Sequence, residues 1–273
     1  FDVLLFPNHS IGRNILGTEQ SIKSFQQSDF QKFYRNNVST DRLIFSVVGP
    51  FDLKTAIKKS APFLERAPRL ESSRIRTSPN QYHPSNQEFE KPITQAHLML
   101  GWRAFPLYDS RRIGMFVLNN ILGGPALNSR LNMSIREKHG LVYSVESNYT
   151  PYTDAGVFCI YLGTELKNLE KAENLARKEM DRLKSSPLSS YHLHHAKEQI
   201  KGQLAMAEEG NQSLMLMLGK SILDQGRVES LAEIFEAIDK LKAIDLMDIA
   251  NEILNDQCSR LAYLPEKKGG RKK

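Results

Sequence analysis

Arg136 and Tyr143 are the side chains whose types and spacing best suit chemistry in this 273-residue sequence. They stand in the run Gly123-Gly124-Pro125-Ala126-Leu127-Asn128-Ser129-Arg130-Leu131-Asn132-Met133-Ser134-Ile135-Arg136-Glu137-Lys138-His139-Gly140-Leu141-Val142-Tyr143-Ser144-Val145. The pattern predicts a helix that ends at Gly140 and a strand that starts at once. Arg136 in the last turn and Tyr143 in the strand then converge at the corner. A guanidinium beside a phenol offers hydrogen-bond donors suited to peptide carbonyl oxygens. The plainer alternative is that Arg136 complements the C-terminal carbonyls of its helix and Tyr143 is an ordinary strand aromatic. The residues alone leave both readings open.

Other chemistries find less support. Seven histidines stand at 9, 83, 97, 139, 192, 194 and 195, and no two are four residues apart. A helix-borne zinc dyad needs that spacing, so that both imidazoles reach one ion from one face. His192, His194, His195 and Glu198 share one predicted helix but lack a well-placed third ligand, which makes them a polar helix surface. No serine sits in a Gly-x-Ser-x-Gly elbow, and Gly123-Gly124 lacks the Lys-Ser/Thr of a phosphate loop. Cys159 and Cys258 both lie in apolar strand-like runs, which argues against a disulfide framework or a thiolate metal site.

Charge and hydropathy bound the partners. The net charge is +6, but Lys267, Lys268, Arg271, Lys272 and Lys273 supply most of it, in a basic tail at 267–273. The rest of the chain is close to neutral, so nucleic-acid binding is not expected. No apolar run approaches the roughly 20 residues that cross a bilayer, so no membrane span is expected. The unpaired cysteines lean towards a cytoplasmic setting, with a periplasmic one left open.

The elements that must position these residues follow from periodicity. Leu43–Val48 reads as a buried strand closed by Gly49-Pro50. Prolines and polar residues mark a linker or arm at 69–91. Beyond it, 93–102 reads as a strand, 109–122 and 127–138 as helices, and 141–149 and 155–162 as strands. From 166 to 254 the pattern is helical, and 261–264 closes the chain as a strand. An echo links Gly12-Arg13, Asp29-Phe30 and Arg42-Leu43-Ile44-Phe45 to Gly226-Arg227, Asp245-Leu246 and Arg260-Leu261-Ala262-Tyr263. It reads as the ends of two homologous domains. The opening Phe1-Asp2-Val3 carries no initiating Met, so the first domain is expected only as its last part.

The run around Arg136 resembles the second-domain signature of the pitrilysin/insulinase family of zinc metalloproteases, most closely its bacterial, processing-peptidase-like branch. Gln95-Ala96-His97-Leu98-Met99-Leu100-Gly101 is similar to that domain's first strand. Ala196-Lys197-Glu198-Gln199-Ile200-Lys201-Gly202 is similar to its later helix. Pro7-Asn8-His9-Ser10-Ile11-Gly12-Arg13 and Ile15-Leu16-Gly17-Thr18-Glu19 resemble the segment following the zinc site of the first domain.

The resemblance implies an α+β fold, a mixed or antiparallel sheet with helices mainly on one face. It divides the chain into 1–68, the C-terminal part of a truncated first domain; 69–91, the arm; and 92–266, a complete second domain without metal. It implies that Arg136 and Tyr143 grip the substrate backbone, and that the zinc ligands and catalytic glutamate of the complete enzyme lie upstream of Phe1. Where histidines would stand, the second domain reads Phe116-Val117-Leu118-Asn119-Asn120. This chain alone is therefore expected to be inactive and to hold no zinc in the family manner. Its expected partners are a peptide or unfolded protein and a related chain in a homo- or heterodimer. Two readings stand: the substrate-binding part of a zinc endopeptidase, or an inactive scaffold subunit paired with a zinc-bearing homologue.

Overall fold

The computed structural model describes residues 1–67, 77–79 and 82–266. Part of the arm and the whole basic tail 267–273 lie outside the described residues. In chain order the elements are α1 (Asp2–Leu5), α2 (Glu19–Ser24), α3 (Gln27–Asn37), α4 (Leu53–Leu64), β1 (Asn86–Lys91), β2 (Ala96–Ala104), α5 (Arg112–Gly123), β3 (Val142–Pro151), β4 (Gly156–Thr164), α6 (Leu169–Ser185), α7 (Ser190–Glu208), α8 (Asn211–Gln225), α9 (Leu231–Lys240), α10 (Ala243–Ile253) and β5 (Ser259–Pro265). The chain divides into two compact units.

The first unit joins Phe1–Asn14, Ser78–Ile200 and the residues from Phe235 onward. Its five-stranded sheet runs β1-β5-β2-β4-β3; β1 and β5 are parallel and the other pairs antiparallel. The fold is α+β. Alternation along β2 and β4 sends Leu98, Leu100, Phe158, Ile160 and Leu162 to one face, where all are fully buried. Helix α6 covers that face with Leu169, Ala172, Ala176, Met180 and Leu183, an apolar stripe at helical spacing. Helices α5 and α10 add Met115, Leu118, Leu122, Ile249, Ala250 and Ile253 to the same core. Trp102 is buried there and its indole donates to the Asn255 carbonyl at 2.9 Å.

Strand β1 corrects the sequence reading, which made all of 69–91 an arm. Every side chain of β1 is exposed, so no apolar alternation marks it. It is held by backbone pairing with β5, in register Asn86↔Arg260 through Lys91↔Pro265, and by Arg260, which ties Glu88 at 2.6 Å to Glu173 of α6 at 2.9 Å.

The second unit joins Ile15–Thr77 and Lys201–Ile234. Thr18 caps α2 through a reciprocal bond with Ser21, and Asp52 caps α4 by accepting from the Thr55 amide. Leu43–Val48, expected as a buried strand, joins no ladder among the described residues. Leu43 leaves the preceding turn in extended backbone, and Leu43, Ile44, Phe45 and Val47 are exposed. The segment's fixed point is Ser46, whose hydroxyl donates to the Met215 carbonyl of α8 at 2.8 Å. Gly219 of α8 lies close enough that a Cβ there would come within 3.1 Å of Ser46 Cβ.

Candidate functional site

Arg136 and Tyr143 lie on either side of Gly140, and each sits on a backbone irregularity. The helix expected at 127–138 is largely replaced by a π-helical turn, Asn132–Glu137, in which the Lys138 amide reaches back five residues to the Met133 carbonyl at 3.0 Å. Leu131 and Ile135 anchor this turn in the core, and the wider winding carries Arg136 to the solvent side. Gly140, at φ 59°, makes the left-handed corner, a conformation that costs glycine least. A Cβ there would meet nothing, so the demand is conformational and not steric.

Tyr143 is the extra residue of a β-bulge. Val142 faces Thr164 and Ser144 faces Gly163, which leaves Tyr143 without a register partner. Bulges re-aim side chains, and Tyr143 is 56% exposed. Its phenol donates to Glu165 Oε1 at 3.2 Å, and Lys167 Nζ holds the other carboxylate oxygen at 2.7 Å. The bond and charge of Lys167, then the bond from Tyr143, hold the Glu165 carboxyl below the usual range. Among the described residues Arg136 has its one ion-pair neighbour in Glu137, at 4.0 Å. No hydrogen bond links Arg136 to Tyr143; Arg136 is exposed at the corner, and Tyr143 would give up its bond to Glu165 to meet a carbonyl. Glu165 and Lys167 are the neighbours that sequence reasoning missed, since a separation of 22 residues leaves no local signal.

The glycine pair before the π turn serves close packing. A Cβ on Gly123 would lie 2.7 Å from the Ser147 amide, and one on Gly124 2.7 Å from Asn120 Cα. Tyr191 packs edge-on against His195 with centroids 4.2 Å apart, and the His192 ring bonds Ser189 at 2.9 Å. Among the described residues no three His, Cys, Asp or Glu side chains are placed to hold a metal ion.

Residues 24–200, more than half of the chain, match the family model described as the peptidase M16 inactive domain. The chain belongs to the M16, or pitrilysin-type, peptidase family. It is 32% identical over 241 residues to an uncharacterized zinc protease of Bacillus subtilis, covering 88% of this chain and 58% of that protein. It is 25% identical to the beta subunit of the mitochondrial-processing peptidase of Saccharomyces cerevisiae, over 93% of this chain and 58% of that one. The chain thus spans less than two thirds of the length of these relatives. The crystal structure of a peptidase M16 inactive domain from Pseudomonas fluorescens shares the fold with a TM-score of 0.88 at 22% identity, covering 97% of this chain and 64% of that one.

Zinc stands in the name of the Bacillus relative, and the helix of this chain that resembles a metal-bearing one is α5. Phe116 packs edge-on against Tyr149 with centroids 4.9 Å apart, Val117 and Leu118 are fully buried, and Asn120 accepts from the Gln199 amide at 2.9 Å. Two aliphatic side chains, a phenyl and an amide already in use offer no zinc donor set. These residues do not fit the metal.

Proposed function

We propose that this chain supplies the substrate-binding half of an M16 zinc endopeptidase, in which Arg136 and Tyr143 donate to backbone carbonyls of a peptide or unfolded protein. The observation that carries the reading is the pair of irregularities, a π turn under Arg136 and a bulge under Tyr143, which present two donors at one corner. Such irregularities gather at functional positions. Zinc and the glutamate base belong to a separate domain or chain in this reading. The segment 1–68 is read as the closing part of a domain like the one at 92–266.

The name of the yeast relative, a subunit, supports a second reading: an inactive subunit paired with a related zinc-bearing chain. The two separate on the full-length gene product, by elemental zinc analysis beside cleavage of a quenched fluorescent peptide. Zinc and turnover in that protein alone select the endopeptidase; neither, with a zinc-bearing homologue co-purifying, selects the subunit. In the active assembly, Arg136→Ala and Tyr143→Phe should each lower kcat/KM about tenfold, the worth of one lost hydrogen bond, with zinc content unchanged. Unchanged kinetics in both variants would remove the role given to the pair.

A further inference from the structure

A cleft of about 780 Å³ opens between the π-helical turn, α6 and α7, all of it lined by residues of the first unit. Four fixed cations line it, Arg130, Lys138, Lys178 and Arg182, against two carboxylates, Glu137 and Glu179. Glu179 is buried and held by Arg182 at 2.5 Å, so one carboxylate stands against two guanidinium groups. Glu137, also on the lining, lies 4.0 Å from Arg136, which does not line the cleft. The side chains of Arg130, Lys138 and Lys178 make no hydrogen bond or ion pair among the described residues. Arg130 is half-buried, and burial pushes its guanidinium below the ordinary arginine range despite the attraction of Glu179. A desolvated cation without a hydrogen-bonded partner is costly for a fold to keep, and an incoming anion removes that cost.

We propose that this cleft binds acidic peptide segments, with Arg130, Lys178 and Lys138 receiving side-chain carboxylates. A peptide suits it better than an inorganic anion does, because Ile121, Leu175 and Leu188 line the cleft with apolar surface. The mixture of apolar wall and a few placed cations is that of an organic-ligand site, and the volume lies in the range of such sites. The cleft carries no residue of the Arg136 and Tyr143 pair, so this proposal is independent of the reading of catalysis.

The test is fluorescence anisotropy on the full chain with fluorescein-labelled hexaglutamate, hexalysine with the same label as control, and inorganic pyrophosphate as competitor. Hexaglutamate should bind and hexalysine should not, with affinity falling as NaCl is raised. Arg130→Gln and Lys178→Gln should each weaken hexaglutamate about tenfold, as loss of one side of a close charge pair does. Lys178 is exposed on α6, so its variant keeps the test valid if Arg130→Gln fails to fold. Equal binding of both peptides, or undiminished binding of hexaglutamate in the Lys178 variant, would overturn the proposal. Pyrophosphate that displaces hexaglutamate at equal concentration would also overturn it, marking a site for inorganic anions.

Discussion

The same short pattern meets two different fates in this molecule. Arg260-Leu261-Ala262-Tyr263 forms β5, in the interior of the sheet between β1 and β2. Its echo, Arg42-Leu43-Ile44-Phe45, leaves a short 3-10 turn at Arg42 and pairs with no strand among the described residues. Leu261 and Ala262 are 8% and 0% exposed, whereas Leu43 and Phe45 are 52% and 55% exposed. Ile44 and Phe45 in one segment and Tyr263 in the other are residues that favour pleated backbone. What separates them is the neighbourhood: β5 has hydrogen-bonding partners on both sides and buries Ala262 in the core shared with α6 and α10, while the earlier segment is bonded to α8 through Ser46. Strand propensity is permission to pair, and the pairing itself comes from what lies alongside.

The largest test of this contrast truncates one aromatic of the sheet, on β2 beside β5, and one of the unpaired segment. Trp102→Ala should cost about 3–5 kcal/mol in urea unfolding, because the indole is buried against Phe158 at 5.9 Å and its N–H bond is lost as well. Phe45→Ala should stay within about 0.5 kcal/mol, the usual range for exposed positions. If Phe45→Ala costs as much as Trp102→Ala, the contrast drawn from exposure is wrong.

The pattern in the sequence carried the α+β fold, the strands β2 to β5 and most of the later helices, since each buries one apolar face at its own period. It failed where that signal is missing or misleading. Strand β1, Asn-Gln-Glu-Phe-Glu-Lys, is polar except for Phe89 and exposed throughout, because edge pairing is a backbone matter that demands no apolar face. Leu43–Val48 has the apolar face but no neighbouring strand. The π turn at 132–137 was read as part of an ordinary helix, because apolar residues at helical spacing do not reveal a change in winding. Of the candidate site, the positions of Arg136 and Tyr143 at a corner were legible. The bulge and the Glu165–Lys167 pair beneath Tyr143 were not, because both depend on how β3 registers against β4.

A smaller effect probes how tightly β5 is held. The Arg260 guanidinium bridges Glu88 of the edge strand and Glu173 of α6. Arg260→Ala should cost about 1–3 kcal/mol. That is less than for a fully buried pair, since Arg177 also holds Glu173, at 2.7 Å. Hydrogen exchange of the β1 amides should accelerate in the same variant, because the edge loses its side-chain tie. Unchanged exchange would mean that backbone pairing alone secures β1.

The smallest effect concerns thiol chemistry and sharpens the contrast directly. Cys159 lies in β4 and Cys258 just before β5, and burial pushes both thiols up, each to about 11 from an ordinary 9.0. At pH 8 the thiolate fraction of each should fall about a hundredfold below that of an unfolded chain, and alkylation by iodoacetamide should slow in proportion. A reporter introduced as Val47→Cys, on the unpaired and exposed segment, should react at the ordinary rate of a solvated thiol. The linkage has a definite sign. A thiol whose value is raised by folding holds its proton more tightly in the native chain, so its contribution to stability is complete below pH 9 and is lost as the pH rises towards 11. Urea midpoints should therefore decline across that window in the native chain, and decline less in a Cys159→Ala, Cys258→Ala double variant. Reaction of the native cysteines as fast as the Val47→Cys reporter would show that the ladder around β4 and β5 opens as readily as the unpaired segment, and would erase the distinction between the two regions.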